Sequence, residues 1–233
     1  MNKRSLLIFD MDGVLVDVTE SYRETIRETV RQFTGISITH KEIQAAKNRG
    51  GSNNDWELSL ELIRERGASP SREEVVAAFQ RVYLGENKTG LGKDNTGLIS
   101  RERWLPREQV LERLATRFHF ALFTGRERWE AQFTLSKFAP GILFDPLVGM
   151  EDVEFEKPHP EGILKILDHL KPEETFYIGD VMDDCLAAQA ASVPFIGVVA
   201  RENPLAVELE TLFRAQGAMA VVADINEMEK VLP

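Results

Sequence analysis

A chain of 233 residues with a formal net charge of -10 is long enough for one substantial core, or one core and a small accessory domain, without disulfides or metals to fold it. That charge repels both the nucleic-acid backbone and an anionic bilayer, so neither is expected as a partner; a small phosphate ester answers to a few nearby donors instead. Cys185 is the only cysteine, which leaves no internal disulfide to form and suits a reducing, cytoplasmic setting.

Lys3 and Arg4 precede an apolar run that Asp10 interrupts, too soon for a signal-peptide core or a membrane span. Residues 5–9 (SLLIF) read as a buried parallel strand ending in acid. From residue 20 the pattern turns helical. Tyr22, Ile26, Val30 and Phe33 recur at helical spacing, with Gly35 at the end. Thr39 with Glu42, and Ser71 with Glu74, match the capping box that satisfies free amides at a helix start. Trp56, Leu60 and Ile63 form a further stripe that stops at Gly67. Residues 85–104, with Gly85, Gly90, Gly92 and Gly97, read as a return linker. Pro106 is expected to open a helix running through Phe118.

Apolar runs at 119–123, 143–148, 175–178, 195–199 and 220–223 then alternate with helical segments near 127–138, 160–170, 183–191 and 204–216. Continuous apolar strands alternating with helices predict an α/β fold, a Rossmann-like parallel sheet with helices on both faces. A core of 1–16 and 101–233 is expected, interrupted by a helical insert with its linker at 17–100.

In such sheets ligands bind beyond the carboxyl ends of the strands. Asp10, Asp12, Thr124, Lys157 and Asp180 all directly follow strand runs or open the loops after them. Asp10, Asp12, Asp180 and either Asp183 or Asp184 would gather negative charge that calls for a cation. Carboxylates suit Mg²⁺, whereas His40, His119, His159 and His169 lack the spacing of a zinc site. With that charge offset by metal and Lys157, phosphate could approach Asp10 for in-line attack, while Asp12 trades protons and Gly13 brings the backbone close.

The segments FDMDGVLVD, FTGR, EKPHP and GDVMDD resemble the four ordered motifs of the haloacid dehalogenase superfamily, and the helical insert resembles the cap that phosphoglycolate phosphatase-like and beta-phosphoglucomutase-like members carry after the first motif. The resemblance covers residues 5–15 and about 105–233. It implies a magnesium-dependent phosphatase acting on a small phosphorylated metabolite, as a monomer or small homo-oligomer. Asp10 is the implied nucleophile and metal ligand, Asp12 the acid/base and a ligand through its carbonyl, and Thr124 a phosphate binder. Lys157 is implied to hold nucleophile and phosphate, Asp180 to bind Mg²⁺, and Asp184, favoured over Asp183, to support the metal.

Gly125 and Arg126 are candidate substrate contacts beside Thr124, although surface placement on the helix it opens is the plainer expectation for Arg126. Thr124 could equally cap that helix. RGGSNNDW (Arg49 to Trp56) is either a helix connection capped by Asn54 or Asp55, or a specificity segment in which Arg49, Asn53 and Asn54 contact substrate. Cys185 reads as a buried helix residue. A sugar phosphomutase is the rival enzyme, and a non-catalytic binding module the rival from another class. The cap motif also resembles a subgroup linked with histidine biosynthesis, which sets histidinol phosphate beside phosphoglycolate and sugar phosphates as candidate substrates.

Overall fold

The computed structural model describes residues 5–86 and 97–233. Lys3, Arg4 and the linker stretch containing Gly90 and Gly92 lie outside the described residues. In chain order the elements are β1 (Ser5–Phe9), β2 (Val16–Asp17), α1 (Tyr22–Thr34), α2 (His40–Arg49), α3 (Asp55–Glu65), α4 (Arg72–Leu84), β3 (Arg103–Trp104), α5 (Val110–Ala115) and β4 (Phe118–Phe123). They continue as α6 (Arg128–Phe138), β5 (Leu147–Val148), α7 (Glu161–Leu170), β6 (Thr175–Gly179), α8 (Met182–Ala190), β7 (Phe195–Val198), α9 (Ala206–Ala215) and β8 (Ala220–Val222). The chain divides into two compact units, Met1–Val16 with Trp104–Pro233, and Asp17–Arg103.

In the Asp17–Arg103 unit, local chemistry sets the helix ends. Gly35 closes α1 at φ 71, donating its N–H to the Arg31 carbonyl, a left-handed cap that costs glycine nothing. Thr39 and Ser71 each form the reciprocal capping box with Glu42 and Glu74. Tyr22 of α1 packs on Tyr83 of α4 with ring centroids 4.2 Å apart. The buried Tyr83 hydroxyl donates to Glu102 Oε1 at 2.8 Å, so the aromatic core carries no orphaned donor there.

The other unit holds a six-stranded sheet in the order β5-β4-β1-β6-β7-β8, parallel at every pairing. Counting only its own strands, this is the doubly wound order 3-2-1-4-5-6. Successive connections step outward in one direction from β1 to β5 and in the other from β6 to β8. With right-handed crossovers, that reversal puts helices on both faces. β2 and β3 pair in a separate two-stranded sheet. No described helix is long and apolar enough to cross a membrane.

β1 is the central strand. Leu6, Leu7, Ile8 and Phe9 are all fully buried, each stabilising the fold by roughly 1.5–3 kcal/mol. Phe9 is level with Leu122 on one side and Ile178 on the other. Asp10, Thr124 and Asp180 consequently leave the sheet along one edge, at the junction where strand order reverses.

Two sequence expectations change. The helix expected from Pro106 to Phe118 is confined to α5, because Gln109 adopts φ 68 just before it and Phe118 is taken into the sheet opposite Ser5. The strand expected at 143–148 narrows to Leu147–Val148. Pro146 has no N–H to continue a ladder, and Leu143 is 77% exposed.

Candidate active site

The chain turns tightly after β1: Gly13 N–H donates to Val16 O at 2.8 Å and Val16 N–H to Met11 O at 3.0 Å. Gly13 sits at φ 76, and a Cβ there would lie 1.9 Å from Asp180 Oδ2. Only glycine lets the first loop and the Asp180 loop approach this closely. Gly179 has the same role one strand end away, since a Cβ on it would lie 2.3 Å from the Asp184 side chain. One carboxylate oxygen from each of Asp10, Asp180 and Asp184 lies within 4.8 Å of the other two, a set of hard oxygen donors of the kind that suits Mg²⁺.

Lys157 lies between two of these acids. Its Nζ donates to Asp10 Oδ1 at 2.7 Å and to Asp184 Oδ1 at 2.8 Å, with Tyr177 Oη and the Phe123 carbonyl both at 3.4 Å. Asp184 also accepts from the Tyr177 hydroxyl at 3.0 Å, and its Oδ2 accepts from the backbone N–H groups of Asp180 (3.1 Å) and Val181 (3.2 Å). Four bonds use the acceptor positions of one carboxylate, so Asp184 holds Lys157 in place and fixes the loop that carries Asp180. Asp10 Oδ2 takes no hydrogen bond among the described residues, leaving it open to attack phosphorus or to meet a cation.

The electrostatics follow from too little positive charge. Burial pushes the Asp10 carboxyl up to about 7, with Asp184 and Asp12 adding to the push and Lys157 opposing it. Burial alone would lower the Lys157 ammonium, but Asp10 and Asp184 outweigh it and hold it well above its ordinary range. One ammonium facing several acids thus stays charged while a carboxyl tends to keep its proton. An added cation would relieve this.

Thr124 is buried at the end of β4, and its Oγ1 accepts from the Arg126 backbone N–H at 3.2 Å. It does not cap α6, whose cap position is Glu127. Arg126 differs more sharply from expectation: it precedes α6 instead of opening it, and is 2% exposed instead of lying at the surface. Its Nε and Nη2 donate to Asp12 Oδ1 at 2.9 and 2.5 Å, and its Nη1 to Thr134 Oγ1 at 3.1 Å. Asp12 outweighs solvent as a partner for this guanidinium. Gly125 is half-buried between Thr124 and Arg126.

Arg49, Asn53 and Asn54 belong to the Asp17–Arg103 unit. Arg49 is exposed, 3.5 Å from Glu61. Asn54 caps α3, accepting from Trp56 N and Glu57 N, which satisfies the plainer of its two readings. The Asn53 amide nitrogen is buried without a hydrogen-bond partner. Asp183 is buried, but outside the set of acids that converge. Cys185 is buried too, and burial, reinforced by Asp184, pushes its thiol up to about 12, far from a nucleophile's range. His159 Nδ1 accepts the Glu161 N–H at 3.3 Å, a local loop contact.

Sequence reading missed Tyr177. In the apolar run TFYIG it looks like core filling, yet its hydroxyl bonds Asp184 beside Lys157. A tyrosine within a strand, two residues before the strand's last glycine, was the available signal.

A family model for haloacid dehalogenase-like hydrolases matches residues 7–198. An imidazoleglycerol-phosphate dehydratase from Phytophthora nicotianae is 36% identical over 201 residues, covering 83% of this chain and 43% of that protein. The chain therefore spans less than half the length of that relative. A phosphoglycolate phosphatase from Photorhabdus laumondii is 26% identical over 196 residues, 82% of this chain and 79% of that one. The crystal structure of a phosphonoacetaldehyde hydrolase-like protein from Oleispira antarctica shares the fold, with a TM-score of 0.73 at 16% identity over 99% of this chain and 91% of that one. Since the family match runs from the first strand to β7 and takes in each strand end of the site, the chain belongs to the haloacid dehalogenase-like hydrolases.

Proposed function

We propose that the chain is a magnesium-dependent phosphatase that hydrolyses a small phosphorylated metabolite through an aspartyl-phosphate on Asp10. The observation that carries this reading is the buried Asp10 carboxylate, anchored by Lys157 at 2.7 Å beside Asp180, which follows β6, and Asp184 of α8. Asp10 and Asp180 would hold the cation, with Asp184 supporting them through Lys157 and the loop backbone. When bound, Mg²⁺ supplies positive charge to the phosphoryl oxygens and to Asp10.

The residues then divide the work. Lys157 orients Asp10 and offsets phosphoryl charge, and the Thr124 hydroxyl binds a phosphoryl oxygen. An Asp10 carboxylate oxygen attacks phosphorus, the bond from phosphorus to the ester oxygen breaks, and Asp12 gives that oxygen its proton to release the alcohol. Asp12 next takes a proton from water, whose oxygen attacks phosphorus. The bond from phosphorus to Asp10 breaks, and inorganic phosphate leaves.

The test is a phosphate-release screen with Mg²⁺ over phosphoglycolate, sugar phosphates and histidinol phosphate, with Asp10→Asn as control. Histidinol phosphate belongs in the panel because the Phytophthora relative is named for an imidazole-bearing phosphate ester. We expect release from at least one ester and none by the control. A control as active as the parent refutes the mechanism, whereas isomer formation dependent on a bisphosphate identifies a mutase.

A further inference from the structure

We infer that Arg126 is a positioning residue for Asp12, fixing the carboxylate that exchanges protons in the phosphatase reaction proposed above, on which this inference rests. Four observations carry it. The Arg126 side chain is 1% exposed while Asp12 is 28% exposed, so the guanidinium stands behind the carboxylate and not in solvent. Two of its N–H groups converge on the single oxygen Oδ1, and no further hydrogen bond reaches Asp12 Oδ2 among the described residues. Its own placement is fixed: Nη1 is tied to Thr134 on α6, its backbone N–H to Thr124 Oγ1, and its carbonyl accepts from Met150 N at 2.9 Å. A planar guanidinium held at both ends is a rigid fork, which a lysine cannot reproduce.

The consequence is specific. Holding Oδ1 fixes the carboxylate plane and leaves Oδ2 to give the proton to the departing ester oxygen and later to accept one from water. A buried ion pair adds little net stability over an apolar pair of similar shape. What distinguishes this one is its second member, the residue proposed to move the proton.

The test compares kcat/KM for phenyl phosphate, whose leaving group needs a proton, with 2,4-dinitrophenyl phosphate, whose leaving group does not. Arg126→Lys keeps the charge and loses the fork, and Arg126→Gln removes the charge. We expect both to lower kcat/KM for phenyl phosphate by about 10- to 100-fold, a part of the roughly 100- to 10,000-fold that a general acid contributes, and for the dinitrophenyl ester by about 3-fold or less. In an Asp12→Asn background, adding Arg126→Lys should cost nothing more, because the two act as one unit. Equal losses on both esters, or additive losses in the double variant, would overturn the role of Arg126. Failure of the unmodified protein to release phosphate from either ester would instead overturn the phosphatase reading beneath it. Should Arg126→Gln fail to fold, the Arg126→Lys comparison still decides the matter.

Discussion

Lys157→Met is the most demanding test of how the site is held together. Methionine keeps the length of the stem, so the substitution removes a charge more than volume. The ammonium is 1% exposed between Asp10, 7% exposed, and Asp184, 0% exposed. Removing it leaves two buried carboxylates facing each other, for which breaking a buried pair costs about 3–5 kcal/mol. For a chain of this size that amounts to a fall in Tm of roughly 6–20 °C. Thermal unfolding followed by circular dichroism in EDTA at pH 7.5 measures it. The loss should shrink on acidification, because protonating either acid removes the repulsion. It should also shrink in Lys157→Met/Asp184→Asn, where one of the two charges is gone. A variant within about 1 kcal/mol of the parent, or a gap unchanged by pH and by the second substitution, would refute the view that Lys157 offsets these acids.

Two further outcomes follow from the same geometry. Asp10 has a folded pKa of about 7 against about 3.9 unfolded, so between those values the native state binds more protons. Stability in EDTA should fall across that window as pH rises, by roughly 4 kcal/mol at most. Denaturant midpoints read at several pH values check this, and a decline no smaller with Mg²⁺ than with EDTA would contradict it. Gly13→Ala places a Cβ 1.9 Å from Asp180 Oδ2 at φ 76, costing about 1–2 kcal/mol in backbone strain and displacing Asp180. We expect phosphate release to fall at least about 10-fold with the far-ultraviolet spectrum retained; undiminished activity would show that this close approach is unnecessary.

Much of this arrangement was legible in the residues. The alternation of apolar runs with helices predicts the parallel sheet, and acids placed at run ends predict which edge carries the site. The capping pairs at Thr39 and Ser71 could be read from spacing alone, because a capping box is local chemistry. Failures came where partners are distant in sequence. Phe118 looks helical until Ser5 claims it for the sheet. Arg126 looks like a surface residue because Asp12 is far away in sequence. Tyr177 looks like core because its hydroxyl meets Lys157 and Asp184 only after folding. Backbone conformation was equally hidden, as Gln109 has nothing in its side chain to announce a left-handed turn.

The register of the central strand bears on how the chain is made. Ser5 pairs with Phe118 and Leu6 with Thr175, so among the described strands of its sheet β1 gains no partner until more than a hundred further residues have been synthesised. During that interval its leucines, isoleucine and phenylalanine are exposed to water, and any other unpaired strand can capture them. Synthesis slowed before residue 118 should therefore raise the fraction lost to aggregation, while a pause after β6 should leave it unchanged.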